Sequence, residues 1–226
     1  GFWVALGVMA VQLPALLSGG FGMFRDEFYY VACADHPAWG YVDHPPLSIF
    51  LLRLLRVAFG DSLLVMRLAS ALAVAALAWL GGRLAREMGG SRFAQLLAAL
   101  ACGIAPVFLA VGSFYSMNAL EPLFWMGCAW VLLRMIRTGR RELWVPFGIL
   151  AGLGLLNKHS MLFFGAALVA GLLLTRERRL LAGVWPWIGG AIALWFLLPN
   201  LLWLYRHDWA TLEFMRNAQQ WKNLPM

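Results

Sequence analysis

One long polar stretch, residues 24–47, interrupts an otherwise apolar chain and carries the residue types that general acid–base chemistry needs. It contains four carboxylates and two of the chain's four histidines: Asp26, Glu27, Asp35, Asp43, His36 and His44. A carboxylate of the adjoining pair Asp26 and Glu27 could take a proton from an incoming hydroxyl group. The same pair could also be a solvated surface feature beside Arg25, so the residue types alone leave both interpretations open.

Glu121 lies at the start of a later apolar segment, after Ser116 and Asn118. An acid in the first turn of a helix is stabilised by the helix dipole, by ~0.3–1 kcal/mol, and Asn118 or Ser116 could cap such a helix. An ionisable group at the edge of a membrane is, however, also a candidate functional residue. Both explanations of Glu121 stay open on composition alone.

The adjacent residues Lys158 and His159 lie between two apolar runs. A lysine in such a turn can extend its side chain to the membrane surface, but it could also bind a phosphate group.

The tripeptide Asp-His-Pro occurs at residues 35–37 and again at 43–45. Two His and two Asp could ligate a divalent metal, but the tripeptide is ordinary in turns. We therefore predict no metal site and no cofactor, with a metal as the less favoured alternative.

Membrane-spanning helices must position these groups, because the composition is that of a polytopic membrane protein. Of 226 residues, 62% are hydrophobic and 13% are charged, and the mean hydropathy is +0.72, outside the range of ordinary soluble domains. In a soluble chain the net charge of +7 would suggest a nucleic-acid partner. Here the arginines cluster at the ends of apolar runs, which indicates membrane topology instead.

Seven apolar segments predict about seven transmembrane helices in an all-α polytopic membrane protein. They are residues 2–17, 63–80, 93–111, 119–136, 143–156, 160–174 and 184–204. Residues 47–59, which carry Arg53 and Arg56 on one face, are too few to cross a bilayer, which takes ~20 residues. They predict a helix in the membrane interface, within a first external loop at residues 24–61.

Arginine-rich turns predict the orientation. Three alternate turns contain nine arginines: Arg83, Arg86, Arg92, Arg137, Arg140, Arg141, Arg176, Arg178 and Arg179. By the positive-inside rule this side is cytoplasmic, and eight of the 11 acidic residues then fall on the other side. The polar loop, the turn before residue 119, the Lys158 turn and the tail at 205–226 also fall there. We expect a multi-pass inner (plasma) membrane protein with its active site on the external, periplasmic face.

Several motifs in fixed order carry a resemblance to a known family. The pair Asp26-Glu27 precedes Tyr41-Val42-Asp43-His44-Pro45-Pro46-Leu47, and residues 112–121, 154–160 and 199–203 match as well. The chain resembles the C-type membrane glycosyltransferases, and most closely glycosyltransferase family 39, which includes protein O-mannosyltransferases and lipid A aminoarabinose transferases. The resemblance covers essentially all 226 residues. It implies the N-terminal part of a transmembrane glycosyltransferase domain, without the later spans and the soluble C-terminal domain of relatives.

The resemblance implies a function and a set of partners. The donor would be a sugar on a polyprenyl phosphate, and transfer would invert the configuration at the anomeric carbon. The acceptor would be a lipid, glycan or protein of the cell envelope that carries a hydroxyl or amine group. Donor, acceptor and membrane lipids are thus the expected partners, with no nucleic acid.

The resemblance also implies roles for individual residues. Asp26 corresponds to the catalytic base, and Glu121 to a second acid, usually Asp, that helps position the acceptor or the loop. The expected substrate-binding residues are Glu27, Tyr30, Tyr41, Asp43, His44, Lys158 and His159. Among them His44 and Lys158 would supply positive charge to the phosphate, His44 only when it is protonated.

A transporter or lipid flippase is the alternative function. It would predict charged residues near the middle of the spans and inverted repeats. The predicted spans carry little charge at mid-depth, and no repeat is visible. A structural membrane subunit, the third possibility, would not need acids and cations gathered on one face. The glycosyltransferase is therefore the favoured function.

Overall fold

The computed structural model describes residues 2–17 and 22–222, and over these ranges the chain is helical, without strands. The α-helices are α1 (Phe2–Leu17), α2 (Arg25–Asp35), α3 (Leu47–Phe59), α4 (Leu63–Glu87), α5 (Arg92–Ile104), α6 (Pro106–Gly112), α7 (Met117–Thr138), α8 (Trp144–Asn157), α9 (Met161–Leu173), α10 (Trp185–Arg206) and α11 (Ala210–Lys222). Short 3-10 turns lie at Arg141–Leu143 and Arg176–Leu181. Residues 223–226 of the predicted tail lie outside the described residues.

Three helices of the described chain, α4, α7 and α10, are long and apolar enough to cross a membrane. Together α5 and α6 form a fourth candidate, while α1 and α9 are apolar but shorter. The all-α membrane fold is therefore confirmed, and the number of about seven spans stays a prediction.

The largest differences between the predicted segments and the observed helices occur in two segments. The segment predicted as one helix at 93–111 is broken after Ile104 and bends by 56°, because Pro106 has no N–H to donate and starts a new helix. The segment predicted to end at residue 80 continues as α4 to Glu87. A helix is observed at the bounds predicted, 47–59, as α3, and its position in the membrane interface stays a prediction.

The polar loop contains a helix of its own, α2, directly before the 36–46 segment. Asp26 and Glu27 lie in its first turn, where the helix dipole favours negative charge. The Glu27 carboxylate also accepts a hydrogen bond from the Phe24 N–H at 2.8 Å, which satisfies a free donor at the start of the helix. The acids therefore stabilise the helix that carries them.

Close helix packing holds the bundle together. Helix α4 packs against α1, α5 and α7, and α8 packs along α10. At the α8–α10 contact a Cβ added to Gly148 would overlap the backbone of Gly189, and one added to Gly152 would lie 2.8 Å from Phe196 Cβ. Small residues allow such close approach of helices in membranes, and they fix α10 beside the site described below.

Four segments meet at one end of the bundle, which we call the site end. Asn157 Nδ2 donates to the Met117 carbonyl at 2.9 Å, Asn200 Nδ2 to the Trp39 carbonyl at 2.8 Å, and Thr211 Oγ1 to the Tyr41 carbonyl at 3.4 Å. The first bond joins the end of α8 to the start of α7, and the other two join the polar loop to α10 and α11. The Met117 N–H also donates to the Tyr30 hydroxyl at 3.1 Å, which ties the start of α7 to the loop.

The opposite, arginine-rich end carries acids that are paired with arginines. The distances are 2.9 Å for Glu87 with Arg137, 2.7 Å for Glu142 with Arg140 and 3.5 Å for Glu177 with Arg179. The remaining arginines give this end an excess of positive charge.

Candidate active site

Glu27 anchors the polar loop to the helix bundle. Its side chain is fully buried, and its two oxygens accept hydrogen bonds from Arg67 Nε at 3.0 Å and Arg67 Nη2 at 2.8 Å. The backbone N–H of Tyr115 donates to it at 3.0 Å and that of Phe24 at 2.8 Å. Burial alone would raise the pKa of Glu27, but these donors outweigh it, so the pKa lies below its ordinary value. Because protein donors occupy both oxygens, Glu27 holds the loop in place, and its predicted contact with the substrate stays a prediction.

Asp26 lies on the accessible side of α2. Its side chain is 44% exposed, and Oδ1 accepts a hydrogen bond from Arg25 Nε at 3.2 Å. Tyr29 and Tyr30 follow three and four residues later and therefore share its face of the helix. The Tyr29 hydroxyl donates to Asp43 Oδ1 at 2.7 Å. The face of α2 that carries Asp26 is thus tied to Asp43.

The tyrosine hydroxyls of this face titrate far above neutral pH. Burial, together with the Asp43 carboxylate, raises the pKa of Tyr29. Burial raises the pKa of Tyr30 to about 12, and the carboxylates of Asp43 and Asp26 both add to the shift. Both carboxylates therefore act on the same tyrosine, and the hydroxyls of Tyr29 and Tyr30 both stay protonated.

His44 lies in a cage of tyrosine rings. Its ring centroid lies 5.7 Å, 5.1 Å and 5.1 Å from those of Tyr29, Tyr30 and Tyr41. Nδ1 lies 2.9 Å from the Pro45 carbonyl oxygen, an acceptor, so Nδ1 carries the proton of this bond. Nε2 is buried without a hydrogen-bond partner in the described chain and lies 3.8 Å from Asp43 Oδ1. A contact of His44 with a phosphate, as predicted, would have to use Nε2.

Tyr30 and Tyr41, predicted as substrate-binding residues, use their hydroxyls in contacts within the folded chain. The Tyr30 hydroxyl accepts a hydrogen bond from the Met117 N–H at 3.1 Å. The Tyr41 hydroxyl accepts one from the Ala38 N–H at 3.0 Å and lies 3.2 Å from two carbonyl oxygens near the end of α2. Burial raises the pKa of Tyr41 as well. Both tyrosines therefore shape the loop around His44.

Glu121 and Lys158, predicted independently of each other, form an ion pair. Lys158 Nζ lies 2.8 Å from Glu121 Oε2 and 2.9 Å from Asn118 Oδ1. The Ser160 hydroxyl donates to the other oxygen of Glu121. An ammonium group has three N–H donors, and the protein occupies two of them. The Lys158 side chain is 32% exposed, so its third donor remains for an external acceptor.

Asn200 of α10 connects His159 to the polar loop. The Asn200 side chain is buried, its Oδ1 lies 2.9 Å from His159 Nε2, and its Nδ2 donates to the Trp39 carbonyl at 2.8 Å. The Oδ1 atom is an acceptor, so His159 Nε2 is the donor of this bond. His159 is thus held in place by the same residue that holds the loop.

Gly40→Ala is expected to loosen the contact between loop and α10. A Cβ at Gly40 would overlap the Trp203 indole and lie 2.9 Å from Asn200 Nδ2, so both side chains would have to shift. Overpacking of this kind costs about 1–3 kcal/mol, and we expect a lower thermal unfolding midpoint in detergent. The control is Gly7→Ala in α1, where a Cβ meets nothing within 4 Å. Equal midpoints for both variants would contradict the close packing of Gly40.

A cavity of about 480 Å³ lies at the site end. Its polar lining comes from Asp43, Lys158, His159, Ser160 and Thr211. Its apolar wall comes from α9, α10 and the segment containing α11, with Leu162, Phe163, Leu197, Leu201, Leu204, Trp209, Leu212 and Met215. Neither Asp26 nor Glu121 lines it. Glu121 contacts Lys158 and Ser160, which do, and Asp26 shares a helix face with Tyr29, whose hydroxyl donates to Asp43. A cavity with a polar part and an apolar wall suits a lipid with a charged headgroup.

Sequence reasoning missed several members of this arrangement: Tyr29, Arg67, Asn118, Ser160 and Asn200. A signal was present for some of them. Arg67 is a charged residue near the start of an apolar segment, which marks a functional or structural site in a membrane protein. Asn200 is a lone polar residue within the apolar segment 184–204. Tyr29 follows Asp26 by three residues and so had to share its helix face.

No group of three or more His, Cys, Asp or Glu side chains that could hold a metal ion occurs within residues 2–17 and 22–222. The two Asp-His-Pro tripeptides serve different contacts. Asp35 forms an ion pair with Arg56 at 2.8 Å, whereas Asp43 accepts the Tyr29 hydroxyl.

Comparison with known proteins gives one match. A family model described as dolichyl-phosphate-mannose-protein mannosyltransferase matches residues 43–203, well over half of the chain. The matched part begins at Asp43 and includes Glu121, Lys158, His159 and Asn200, while Asp26 precedes it. No curated protein and no solved structure matches the chain.

Proposed function

The chain belongs to the family of dolichyl-phosphate-mannose-protein mannosyltransferases, and from that premise we propose that it transfers a sugar from a polyprenyl phosphate to an acceptor at the external face of the membrane. Membership supports a membrane glycosyltransferase that uses donors of this class. The observation that carries the proposal is the cavity that joins Lys158 to an apolar wall on α9 and α10. A lipid phosphate has both a charged head and a hydrocarbon chain, and this cavity offers a complement to each.

Lys158 is the proposed phosphate contact. Its third N–H donor has no partner among residues 2–17 and 22–222, and the Glu121 carboxylate and Asn118 fix the direction of the ammonium group. Cations fixed in advance stabilise a leaving group better than mobile ones, because nothing has to reorganise as its charge grows. In this proposal Glu121 acts by positioning Lys158.

Asp26 is the proposed general base. The acceptor oxygen forms a bond to the anomeric carbon while the bond from that carbon to the phosphate oxygen breaks. The acceptor proton passes to the Asp26 carboxylate, and the electron pair leaves with the phosphate, beside Lys158. Attack from the face opposite the phosphate inverts the anomeric configuration. A single carboxylate suffices, because the phosphate needs no protonation to leave.

The site end is proposed to face the outside of the cell. The opposite end carries the arginine-rich turns, which the positive-inside rule places in the cytoplasm. An external site would meet donors in the outer leaflet and acceptors of lipid, glycan or protein character. The sugar would then be added to the cell envelope.

Lys158→Met is expected to weaken donor binding. Loss of a charge-assisted hydrogen bond costs about 1.5–3 kcal/mol, which corresponds to a 10- to 100-fold rise in Kd. The measurement is equilibrium binding of a radiolabelled polyprenyl-phosphate sugar to the full-length protein in nanodiscs.

Lys158→Arg serves as the matched control, because it keeps the positive charge, and we expect it to retain most of the affinity. If Lys158→Met binds the donor as tightly as the unchanged protein, the phosphate lies elsewhere and this assignment is wrong. If the unchanged protein moves a lipid across the bilayer but transfers no sugar, the transporter alternative replaces the proposed function.

A further inference from the structure

A second groove lies along α10, on a different side of that helix from the cavity described above. It has a volume of about 450 Å³. Its lining comes from the polar loop, with Trp39, and from α10 and the residue after it, with Trp195, Leu198, Pro199, Leu202, Trp203, Arg206 and His207. We call it the α10 groove.

The two concave surfaces use different rows of α10 side chains. Leu197, Leu201 and Leu204 line the cavity with Lys158, whereas the α10 groove uses residues at positions 198, 202 and 206. At 3.6 residues per turn these rows lie on separate sides of the helix. A ligand in the α10 groove would therefore not occupy the proposed donor cavity.

The apolar part of the α10 groove is exposed on a helix that could span the membrane. Helix α10 is long and apolar enough to cross a membrane, and Trp195, Leu198 and Leu202 are 75%, 41% and 49% exposed. Exposed side chains on such a helix contact lipid chains. The indole rings of Trp195 and Trp39 also line the groove.

The polar end of the α10 groove carries positive charge. The Arg206 side chain forms no hydrogen bond or ion pair with any residue in the described part of the chain. The His207 ring stacks on Trp203, with centroids 4.0 Å apart. Its Nδ1 lies 2.8 Å from the Trp203 carbonyl oxygen, so Nδ1 is the donor and Nε2 is directed away from that bond. A guanidinium binds phosphate through two parallel hydrogen bonds.

We propose that the α10 groove binds an anionic phospholipid, with its phosphate on Arg206 and an acyl chain along Leu202 and Leu198. The charge complements an anionic headgroup, and the apolar wall continues from it into the bilayer. This site is separate from the donor cavity and does not depend on sugar transfer.

The α10 groove also adjoins the contact that holds the loop. Trp39 lines it, and the Trp39 carbonyl accepts the hydrogen bond from Asn200, which also contacts His159. A lipid packed against Trp39 would therefore steady the loop segment beside the donor cavity.

Arg206→Gln tests the headgroup contact. The full-length protein in detergent is titrated with phosphatidylglycerol or phosphatidylcholine, and bound lipids are counted by native mass spectrometry. We expect the unchanged protein to prefer phosphatidylglycerol, and Arg206→Gln to lower its apparent affinity for that lipid about tenfold, the effect of about 1.4 kcal/mol. Arg216→Gln, the same charge change on α11, is expected to have no effect.

Leu198→Trp tests the apolar wall with Arg206 intact. Leu198 is partly exposed, so the larger side chain can be accommodated without a change in the core, but it fills the groove and should lower retention of both lipids. Unchanged phosphatidylglycerol binding in Arg206→Gln would overturn the proposal. So would equal losses in Arg206→Gln and Arg216→Gln, because the effect would then belong to surface charge in general.

Discussion

Asp26→Asn is expected to slow sugar transfer about 10²–10⁴-fold, the usual contribution of a positioned general base, without weakening donor binding. The side chain keeps its shape but can no longer accept the acceptor's proton. Asp26 suits this role by position, since it is 44% exposed on the face of α2 that Tyr29 ties to Asp43. The rate is measured as label transferred from a polyprenyl-phosphate sugar to membrane acceptors, with the full-length protein in nanodiscs.

Asp35→Asn is the matched control for this prediction. Asp35 lies on the same helix and is 54% exposed, but it is paired with Arg56. We expect its transfer rate to stay close to that of the unchanged protein. A normal rate in Asp26→Asn would show that Asp26 is a solvated loop residue, and Asp43 and Glu121 would become the candidates for the base.

Arg67→Met is expected to lower the thermal unfolding midpoint by on the order of 10 °C. The substitution leaves the Glu27 carboxylate fully buried without its cation. Breaking a buried pair by removing one partner costs about 3–5 kcal/mol, and for a chain of this size about 2–4 °C is lost per kcal/mol. The double variant Glu27→Gln/Arg67→Met removes both charges and should recover part of the loss.

Glu142→Gln is the control for the Arg67 experiment. Glu142 also pairs with an arginine, Arg140, but both side chains are largely exposed, and exposed pairs contribute little. No change in the midpoint is expected. If Arg67→Met unfolds at the same temperature as Glu142→Gln, the buried pair does not hold the loop to the bundle.

The buried pair of Glu27 and Arg67 also makes the stability of the fold depend on pH. The pKa of Glu27 is lowered in the folded protein from its ordinary value of 4.5. The carboxylate therefore contributes stability above pH 4.5, and this contribution is lost as the pH falls through the lowered pKa. We expect the unfolding midpoint to fall in that acidic range for the unchanged protein and to fall less for Glu27→Gln.

The long helices could be predicted from the sequence, but not all of their ends. The bounds of α3 could be predicted, because Pro45 and Pro46 mark its start and the apolar run that follows sets its length. The arginines after residue 80 marked the end of a membrane segment, yet arginine is a good helix former, so α4 continues to Glu87. The break before Pro106 was missed because the apolar pattern runs through it.

The meeting of polar segments at one end could be predicted, and their pairings could not. Alternation of the spans puts the loop, the α7 start and the Lys158 turn on one side. It does not reveal that Glu27 pairs with Arg67, 40 residues away, or that Lys158 pairs with Glu121, 37 residues away. The packing of the helices determines which residues so distant in the chain become partners, and that packing cannot be read directly from a single sequence.

The hydrogen bond between Asn200 and Trp39 has a consequence for biosynthesis. The two residues are 161 positions apart, so a nascent chain exposes its loop acids long before α10 leaves the ribosome. The loop cannot take its final shape until α10 has been inserted beside α8. Assembly of the site is therefore among the last steps of synthesis for this part of the chain, and chains arrested before residue 200 should contain the acids without the finished cavity.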